Sequence, residues 1–165
     1  MTTNTFIQKC KNSCMFNWSQ MEELRRGFEK NLTIEQVKVF AKPKFEWTQM
    51  SEIRLGFEQG LSIEQIKVYA KPEFDSDQMF QMRKGFKMGL TIEQVRVYAN
   101  PEFEWQQMME IRLGFQENGL TMEQVEVYVD PKFNKNQMFQ IRKFIIENND
   151  IPIKTIKFLI GFDCI

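Results

Sequence analysis

The sequence predicts an all-α solenoid of five tandem helix-turn-helix repeats, each about 29 residues long. Three observations carry this prediction: a repeated leading phenylalanine, two helix-start patterns in every repeat, and helix-ending residues after each start. Each repeat therefore holds two short helices. Short helices are only marginally stable alone, so neighbouring repeats must stack to bury their apolar faces. The leading residues are separated by 29, 29, 29 and 30 positions: Phe16, Phe45, Phe74, Phe103 and Phe133.

The repeats divide the chain into a polar N-terminal segment, residues 1–15, and one solenoid domain, residues 16–165. We expect the polar segment to be partly disordered, as unanchored termini often are. The apolar end, residues 151–165, is expected to fold back over the last repeat as a cap, or else to form a dimer contact. The predicted state is therefore a monomer or a dimer through 151–165. The repeats cover 16–44, 45–73, 74–102, 103–132 and 133–165.

Both helix starts in each repeat have the form of a capping box, in which a polar cap residue precedes a glutamine by three positions. Asn17 with Gln20 is an example of the first start, and Ser62 with Gln65 of the second. These glutamines are therefore interpreted as structural. The first helices are predicted to end at residues that tolerate the left-handed conformation: Asn31, Gly60, Gly89 and Gly119. The second helices are predicted to end before prolines: Pro43, Pro72, Pro101 and Pro131.

A glycine also recurs within the first helix of four repeats, where it costs about 1 kcal/mol relative to alanine. Such a glycine indicates a point at which the next helix comes close. The fifth repeat has Phe144 at that position, and no sixth repeat follows. The four residues are Gly27, Gly56, Gly85 and Gly114.

The composition excludes several classes of function. The absence of histidine removes Ser-His-Asp and Cys-His triads, and the balance of 22 basic and 22 acidic side chains gives no electrostatic case for nucleic acid or a membrane surface. No phosphate loop, metal-ligand spacing or nucleophile motif occurs, so we predict no catalytic residue, no metal and no cofactor. Cys10, Cys14 and Cys164 lack the spacing of a disulfide framework. We expect reduced thiols in a non-enzymatic cytoplasmic protein.

A stripe of varied residues is the candidate partner-binding surface. It occupies positions two, six and ten after each leading phenylalanine, which share a helix face turned away from the predicted core. Large apolar groups there are typical of a recognition surface when exposed, and the alternative is packing between adjacent repeats. Repeats two and four match each other in the tryptophan at position two and the leucine at position ten, and repeats three and five in the phenylalanine at position six and the lysine at position ten. The candidates are Trp18, Arg26, Trp47, Leu55, Phe80, Lys84, Trp105, Met109, Leu113, Phe139 and Lys143.

One arginine recurs in every repeat and forms the only charged ladder present throughout. A ladder of this kind either binds anions such as phosphate or braces neighbouring helices through glutamate side chains and carbonyl groups. We favour the brace, because structural ion pairs more often produce such patterns. The ladder consists of Arg25, Arg54, Arg83, Arg112 and Arg142.

The segment FEWTQMSEIRLGFEQGL resembles tandem repeats of the form W-x-Q-M-x-x-I-R-x-G-[LF]-E-x-G-L, found in proteins of phages and conjugative elements of Firmicutes. The resemblance covers residues 16 to about 145 and implies a mobile-element setting without an assigned activity. We therefore expect a non-catalytic protein-binding repeat protein that inhibits a bacterial defence effector, an anti-CRISPR or anti-restriction role. The alternative is a helical-repeat protein that binds nucleic acid. A third hypothesis is a structural protein that self-assembles through its apolar end.

Overall fold

The computed structural model describes residues 2–162, and Cys164 lies outside them. All regular secondary structure in these residues is helical, and eleven helices pack against one another, which confirms the all-α class. The helices are α1 (Thr3–Asn12), α2 (Trp18–Glu29), α3 (Ile34–Phe40), α4 (Trp47–Glu58), α5 (Ile63–Tyr69), α6 (Ser76–Lys87), α7 (Ile92–Tyr98), α8 (Trp105–Gln116), α9 (Met122–Val125), α10 (Lys135–Glu147) and α11 (Ile153–Phe162).

The chain forms two compact units, Met1–Arg83 and Lys84–Ile165. In the first unit, α2 packs against α1, α3 and α4, and α4 also packs against α3 and α5. In the second unit, α8 packs against α7, α9 and α10. In each unit, helices that share the predicted first-helix pattern therefore pack side by side, and shorter helices pack against them.

The predicted helix starts are confirmed at all nine positions from α2 to α10. At each start the amide oxygen of the glutamine accepts the backbone N–H of the cap residue, at 2.7–3.0 Å. The predicted left-handed ends are confirmed as well, since Asn31, Gly60, Gly89 and Gly119 have φ values between 60° and 91°. Local sequence patterns therefore decide where most of these helices begin and where the first helices end.

The recurring glycines mark a close approach, as predicted, and the approaching segment is the second helix of the same repeat or, in the fourth repeat, the turn that follows it. A Cβ placed on Gly56, Gly85 or Gly114 would lie 2.0–2.1 Å from a tyrosine hydroxyl oxygen. These tyrosines, Tyr69, Tyr98 and Tyr128, are fully buried, and burial raises their pKa values well above the ordinary range. Glycine is required there because no other residue leaves room for the phenol.

Two elements differ from the sequence prediction, and a third, α11, lies in the segment predicted to be a cap. The N-terminal segment forms α1, which packs Phe6 edge-on against Phe28 with ring centroids 5.8 Å apart. The second helix of the fourth repeat, α9, has only four residues, because hydrogen bonds from Val127 and Tyr128 to carbonyls three positions back tighten its end. In α11, Ile156 is buried whereas Phe158 is 63% exposed, so the helix packs through the face that carries Ile156.

The capping glutamines also join consecutive repeats, a role that sequence reasoning missed. The Nε2 of Gln49 donates to the carbonyl oxygens of Pro72 and Phe74, at 3.1 Å and 2.5 Å. Gln20 makes the same pair of bonds to Pro43 and Phe45, at 3.1 Å and 2.6 Å. The glutamine therefore supplies hydrogen bonds to the N-terminus of its own helix and to the loop that leads into the first helix of the next repeat.

We expect Gln49→Ala to lower the free energy of unfolding by about 2 kcal/mol, because the buried carbonyl of Phe74 and the half-buried carbonyl of Pro72 lose their donor and the N–H of Glu46 loses its acceptor. The matched variant is Gln137→Ala, which removes the same cap at an exposed position where residues 2–162 supply no such carbonyl bonds. It should cost about 0.5–1 kcal/mol. Urea unfolding followed by circular dichroism measures both values. Equal losses in the two variants would contradict the bridging role.

Candidate functional site

The candidate stripe is largely exposed. Eight of its eleven side chains are exposed, and Leu55, Met109 and Leu113 are half-buried. Among the aromatic side chains of the stripe, Trp18 is the most exposed, at 76%, followed by Trp47 at 49%. The exposed members are Trp18, Arg26, Trp47, Phe80, Lys84, Trp105, Phe139 and Lys143.

In the first unit, two indoles stand at neighbouring helix starts. Trp18 is the first residue of α2 and Trp47 the first residue of α4. These starts lie close together, because Gln20 of α2 donates to the carbonyl of Phe45 just before α4. Met15, 63% exposed, lines a cavity of about 610 Å³ together with Trp47. We call Met15, Trp18 and Trp47 the N-terminal aromatic surface.

In the second unit, the exposed aromatic side chains of the stripe lie on α8 and α10, which pack against each other. Trp105 is the first residue of α8, in the same position as Trp18 and Trp47 in their helices. Phe139 lies within α10, next to the buried Met138. Each unit therefore presents large apolar side chains outside its core.

The arginine ladder braces neighbouring first helices. The Nε of Arg54 donates to Glu23 on α2 at 2.7 Å, and the Nε of Arg83 donates to Glu52 on α4 at 2.8 Å. Four of the five arginines are buried, whereas Arg25, which begins the ladder, is exposed and lies 3.5 Å from Glu22. In the second unit, Arg142 on α10 donates to Glu110 on α8 from Nε and Nη2, at 3.2 Å and 2.9 Å.

The pKa values of two buried arginines in the ladder are shifted in opposite directions. Burial lowers the pKa of Arg54, but hydrogen bonds to Glu23 and Glu58 outweigh it and leave the pKa above its ordinary value. Burial also lowers the pKa of Arg112, and there the attraction to nearby acidic groups does not restore it. The guanidinium charge of Arg54 is therefore stabilised by its carboxylate neighbours.

A second hydrogen bond of each buried arginine alternates along the chain in the same order as the matching repeats. In repeats two and four, Arg54 and Arg112 donate from Nη1 to a residue four positions later on their own helix, Glu58 and Gln116. In repeats three and five, Arg83 and Arg142 donate from Nη1 to the preceding repeat, to Gln59 at 2.9 Å and to Asn118 at 2.7 Å.

In the same two repeats an aromatic ring covers the guanidinium. The rings of Phe80 and Phe139 lie 5.3 Å and 5.5 Å from the guanidinium carbons of Arg83 and Arg142. A cation beside an aromatic face is a favourable contact. Both phenylalanines, 38% and 42% exposed, therefore contribute to packing as well as to the surface that the sequence assigned to a partner.

The glutamates that accept the arginines were not singled out from the sequence. Glu23, Glu52 and Glu110 each lie seven positions after the leading phenylalanine, two before the arginine of their own repeat. Their shared position within the repeat is the sequence feature from which they could have been identified. Gln81 and Gln140 occupy the same position in the third and fifth repeats.

Within residues 2–162, no helix has the length and hydropathy needed to span a bilayer. The described residues also contain no group of three or more histidine, cysteine or acidic side chains placed to hold a metal ion. Comparison of the chain with protein-family models, with curated proteins and with solved structures gives no match.

Proposed function

We propose that this chain is a non-catalytic helical-repeat protein whose five repeats form a solenoid that binds a protein partner through aromatic side chains at the starts of its first helices. The observation that carries the proposal is the exposure of Trp18 and Trp47, 76% and 49%, at adjacent helix starts. Exposed indoles are unfavourable in water, and tryptophan and methionine are enriched at the centres of protein interfaces. The N-terminal aromatic surface is the proposed centre of the contact.

The arginine ladder favours a protein over a nucleic acid as the partner. Arg54, Arg83 and Arg142 are buried and hydrogen-bonded to glutamate carboxylates, so their guanidinium groups are already committed within the chain. A phosphate-binding stripe needs accessible cations, and basic and acidic side chains are equal in number. These hydrogen bonds therefore favour the bracing role over the anion-binding role for the arginine ladder.

The narrower proposal is that the partner is a bacterial defence effector, which this protein inhibits in the cytoplasm of the host cell. It rests on the resemblance of residues 16 to about 145 to repeats of phages and conjugative elements. An inhibitor of this kind acts by occupying a surface of its target, and the exposed aromatic side chains supply the apolar contact area that such binding requires.

The test of binding is capture of host proteins by tagged protein with and without nuclease. We expect a partner that survives nuclease and whose capture falls at least tenfold with Trp18→Ala plus Trp47→Ala, because interface tryptophans carry much of the binding energy. The control is Met88→Ala, which removes another large exposed side chain, 62% accessible, outside the stripe. Equal capture by all three proteins would refute the assigned surface.

The inhibitor role has a separate readout. Expression of the protein in cells with an active CRISPR or restriction system should restore entry of a targeted plasmid, and the double tryptophan variant should not restore it. Recovery of nucleic acid alone, lost on nuclease treatment, would reject the protein-binding proposal in favour of nucleic-acid binding.

A further inference from the structure

The turn after α8 holds the only Asn-Gly pair of the sequence, Asn118-Gly119. Both residues are exposed, and they line an open cavity of about 320 Å³. An asparagine before a glycine can cyclise, because attack of the next backbone nitrogen on the side-chain carbonyl carbon closes a five-membered ring. Glycine favours this step, since it has no Cβ to obstruct the approach. The pair is therefore a candidate for a reaction within the chain itself.

The attacking nitrogen is free at this turn. In the second repeat, the N–H of Gly60 donates to the backbone carbonyl of Phe57 at 2.9 Å. The fourth repeat is one residue longer, and there Leu120 closes the turn by donating to the carbonyl of Gly114 at 3.0 Å. The N–H of Gly119 has no hydrogen-bond partner among residues 2–162. Water can therefore take the proton of this nitrogen without first breaking a hydrogen bond within the chain.

The guanidinium of Arg142 donates to the side-chain carbonyl of Asn118. The distance from Nη1 to Oδ1 is 2.7 Å, and the acceptor must be the oxygen, because a guanidinium can only donate. The side chain of Arg142 is 9% exposed, and Glu110 holds it through Nε and Nη2 at 3.2 Å and 2.9 Å. A fixed cationic donor at this oxygen stabilises the negative charge that develops there when a nucleophile adds to the carbonyl carbon.

We propose that Asn118 is a site of spontaneous deamidation that Arg142 promotes. The backbone nitrogen of Gly119 forms a bond to Cγ of Asn118 and gives its proton to water. The Cγ–Nδ2 bond then breaks, and Nδ2 takes up a proton and leaves as ammonia. Water opens the resulting succinimide at either carbonyl carbon, which leaves an aspartate or an isoaspartate at this position. The sum is hydrolysis of the amide with water as the only co-reactant, at a site separate from the N-terminal aromatic surface and beyond the proposed function.

The two products differ in what they do to the chain. The carboxylate of the aspartate product would accept from Nη1 of Arg142 as the amide oxygen does, and Glu58 already accepts from Nη1 of Arg54 in the second repeat. The isoaspartate product carries one more carbon in the main chain, immediately before the turn that leads to α9. The reaction therefore adds a negative charge to the second unit and, in one product, lengthens the connection between α8 and α9.

The test follows the folded protein and the blocked peptide FQENGLTM, the sequence of residues 115–122, at neutral pH by mass spectrometry. We expect the asparagine amide to be converted to a carboxylate at least as fast in the protein as in the peptide, which has no guanidinium. Arg142→Met with Glu110→Leu removes the donor together with its ion-pair partner, and should slow the reaction at least tenfold. Arg83→Met with Glu52→Leu makes the same change in the third repeat and should leave the rate unchanged.

A matched asparagine tests the free nitrogen. Gln59→Asn places a second Asn-Gly pair in the second repeat, at the residue that accepts from Nη1 of Arg83 at 2.9 Å. The N–H of Gly60 is already hydrogen-bonded there, so this asparagine should react severalfold more slowly than Asn118. A second asparagine that reacts as fast as the first would contradict the role of the free nitrogen.

Circular dichroism establishes which variants are folded. The proposal is overturned if the asparagine of the folded, unchanged protein reacts more slowly than that of the peptide, a comparison that needs no variant. It is also overturned if Arg142→Met with Glu110→Leu is folded and reacts as fast as the unchanged protein.

Discussion

Gly85→Ala is expected to lower the free energy of unfolding by about 3 kcal/mol, the upper range of overpacking effects. A Cβ at this position would lie 2.1 Å from the hydroxyl oxygen of Tyr98, closer than any non-bonded contact allows. Tyr98 is fully buried at the end of α7, so its ring has no free space into which to move. The measurement is urea unfolding monitored by circular dichroism.

Tyr98→Phe should rescue that loss. Without the hydroxyl group, the nearest ring atom of residue 98 would lie 3.5 Å from the new Cβ, an ordinary van der Waals distance. The hydroxyl of Tyr98 also has no hydrogen-bond partner among the described residues, and such a buried group costs about 1–3 kcal/mol. The double variant should therefore be at least as stable as the starting protein, because alanine also favours the helix by about 1 kcal/mol.

Two results would contradict this account of the glycine. One is a loss below about 1 kcal/mol for Gly85→Ala, within the range of ordinary helix substitutions. The other is an equal loss in the double variant. Gly161→Ala is the control, because a Cβ there meets no atom within 4 Å, and it should stabilise the protein slightly.

Helix boundaries were predictable because the interactions that set them lie within a few residues of one another. Asn17 and Gln20 form a capping box three positions apart, and Asn31 and Gly60 end helices through their own backbone conformations. The short α9 escaped prediction because its end is tightened by bonds that the repeat pattern does not encode. The helix in residues 1–15 escaped because a single packed side chain, Phe6, anchors an otherwise polar segment.

The contacts between repeats were only partly predictable. The arginine ladder was assigned to bracing, but the Nε of Arg54 donates to Glu23, 31 residues away, and sequence spacing alone does not show which carboxylate of another repeat lies opposite. The helix face that carries Phe80 was also predicted, but the contact of its ring with Arg83 was not. A helical wheel shows the direction in which a side chain leaves the helix, but it does not show which side chains that side chain contacts. The exposure of Trp18 likewise required the structure, since a position outside the core can still be covered by another repeat.

Arg142→Met should lower the free energy of unfolding by about 3–5 kcal/mol, because it leaves the carboxylate of Glu110 buried without its cation. The two side chains are 9% and 10% exposed, and Arg142 reaches Glu110 through both Nε and Nη2. Asn118, which accepts a 2.7 Å bond from Nη1, also loses its donor. The methionine retains most of the apolar stem, so the loss measures the charge and its hydrogen bonds.

Replacing both partners, by Arg142→Met with Glu110→Leu, should recover most of that loss, since an apolar pair of similar volume needs no desolvation of charge. The control is Lys143→Met, which removes an exposed cation 3.7 Å from Glu147 and should change stability by less than about 0.5 kcal/mol. Losses that add in the double variant would show that the two residues act independently. Recovery would instead mean that the pair contributes chiefly by matching one helix to the next, because each charge is costly only when the other is missing.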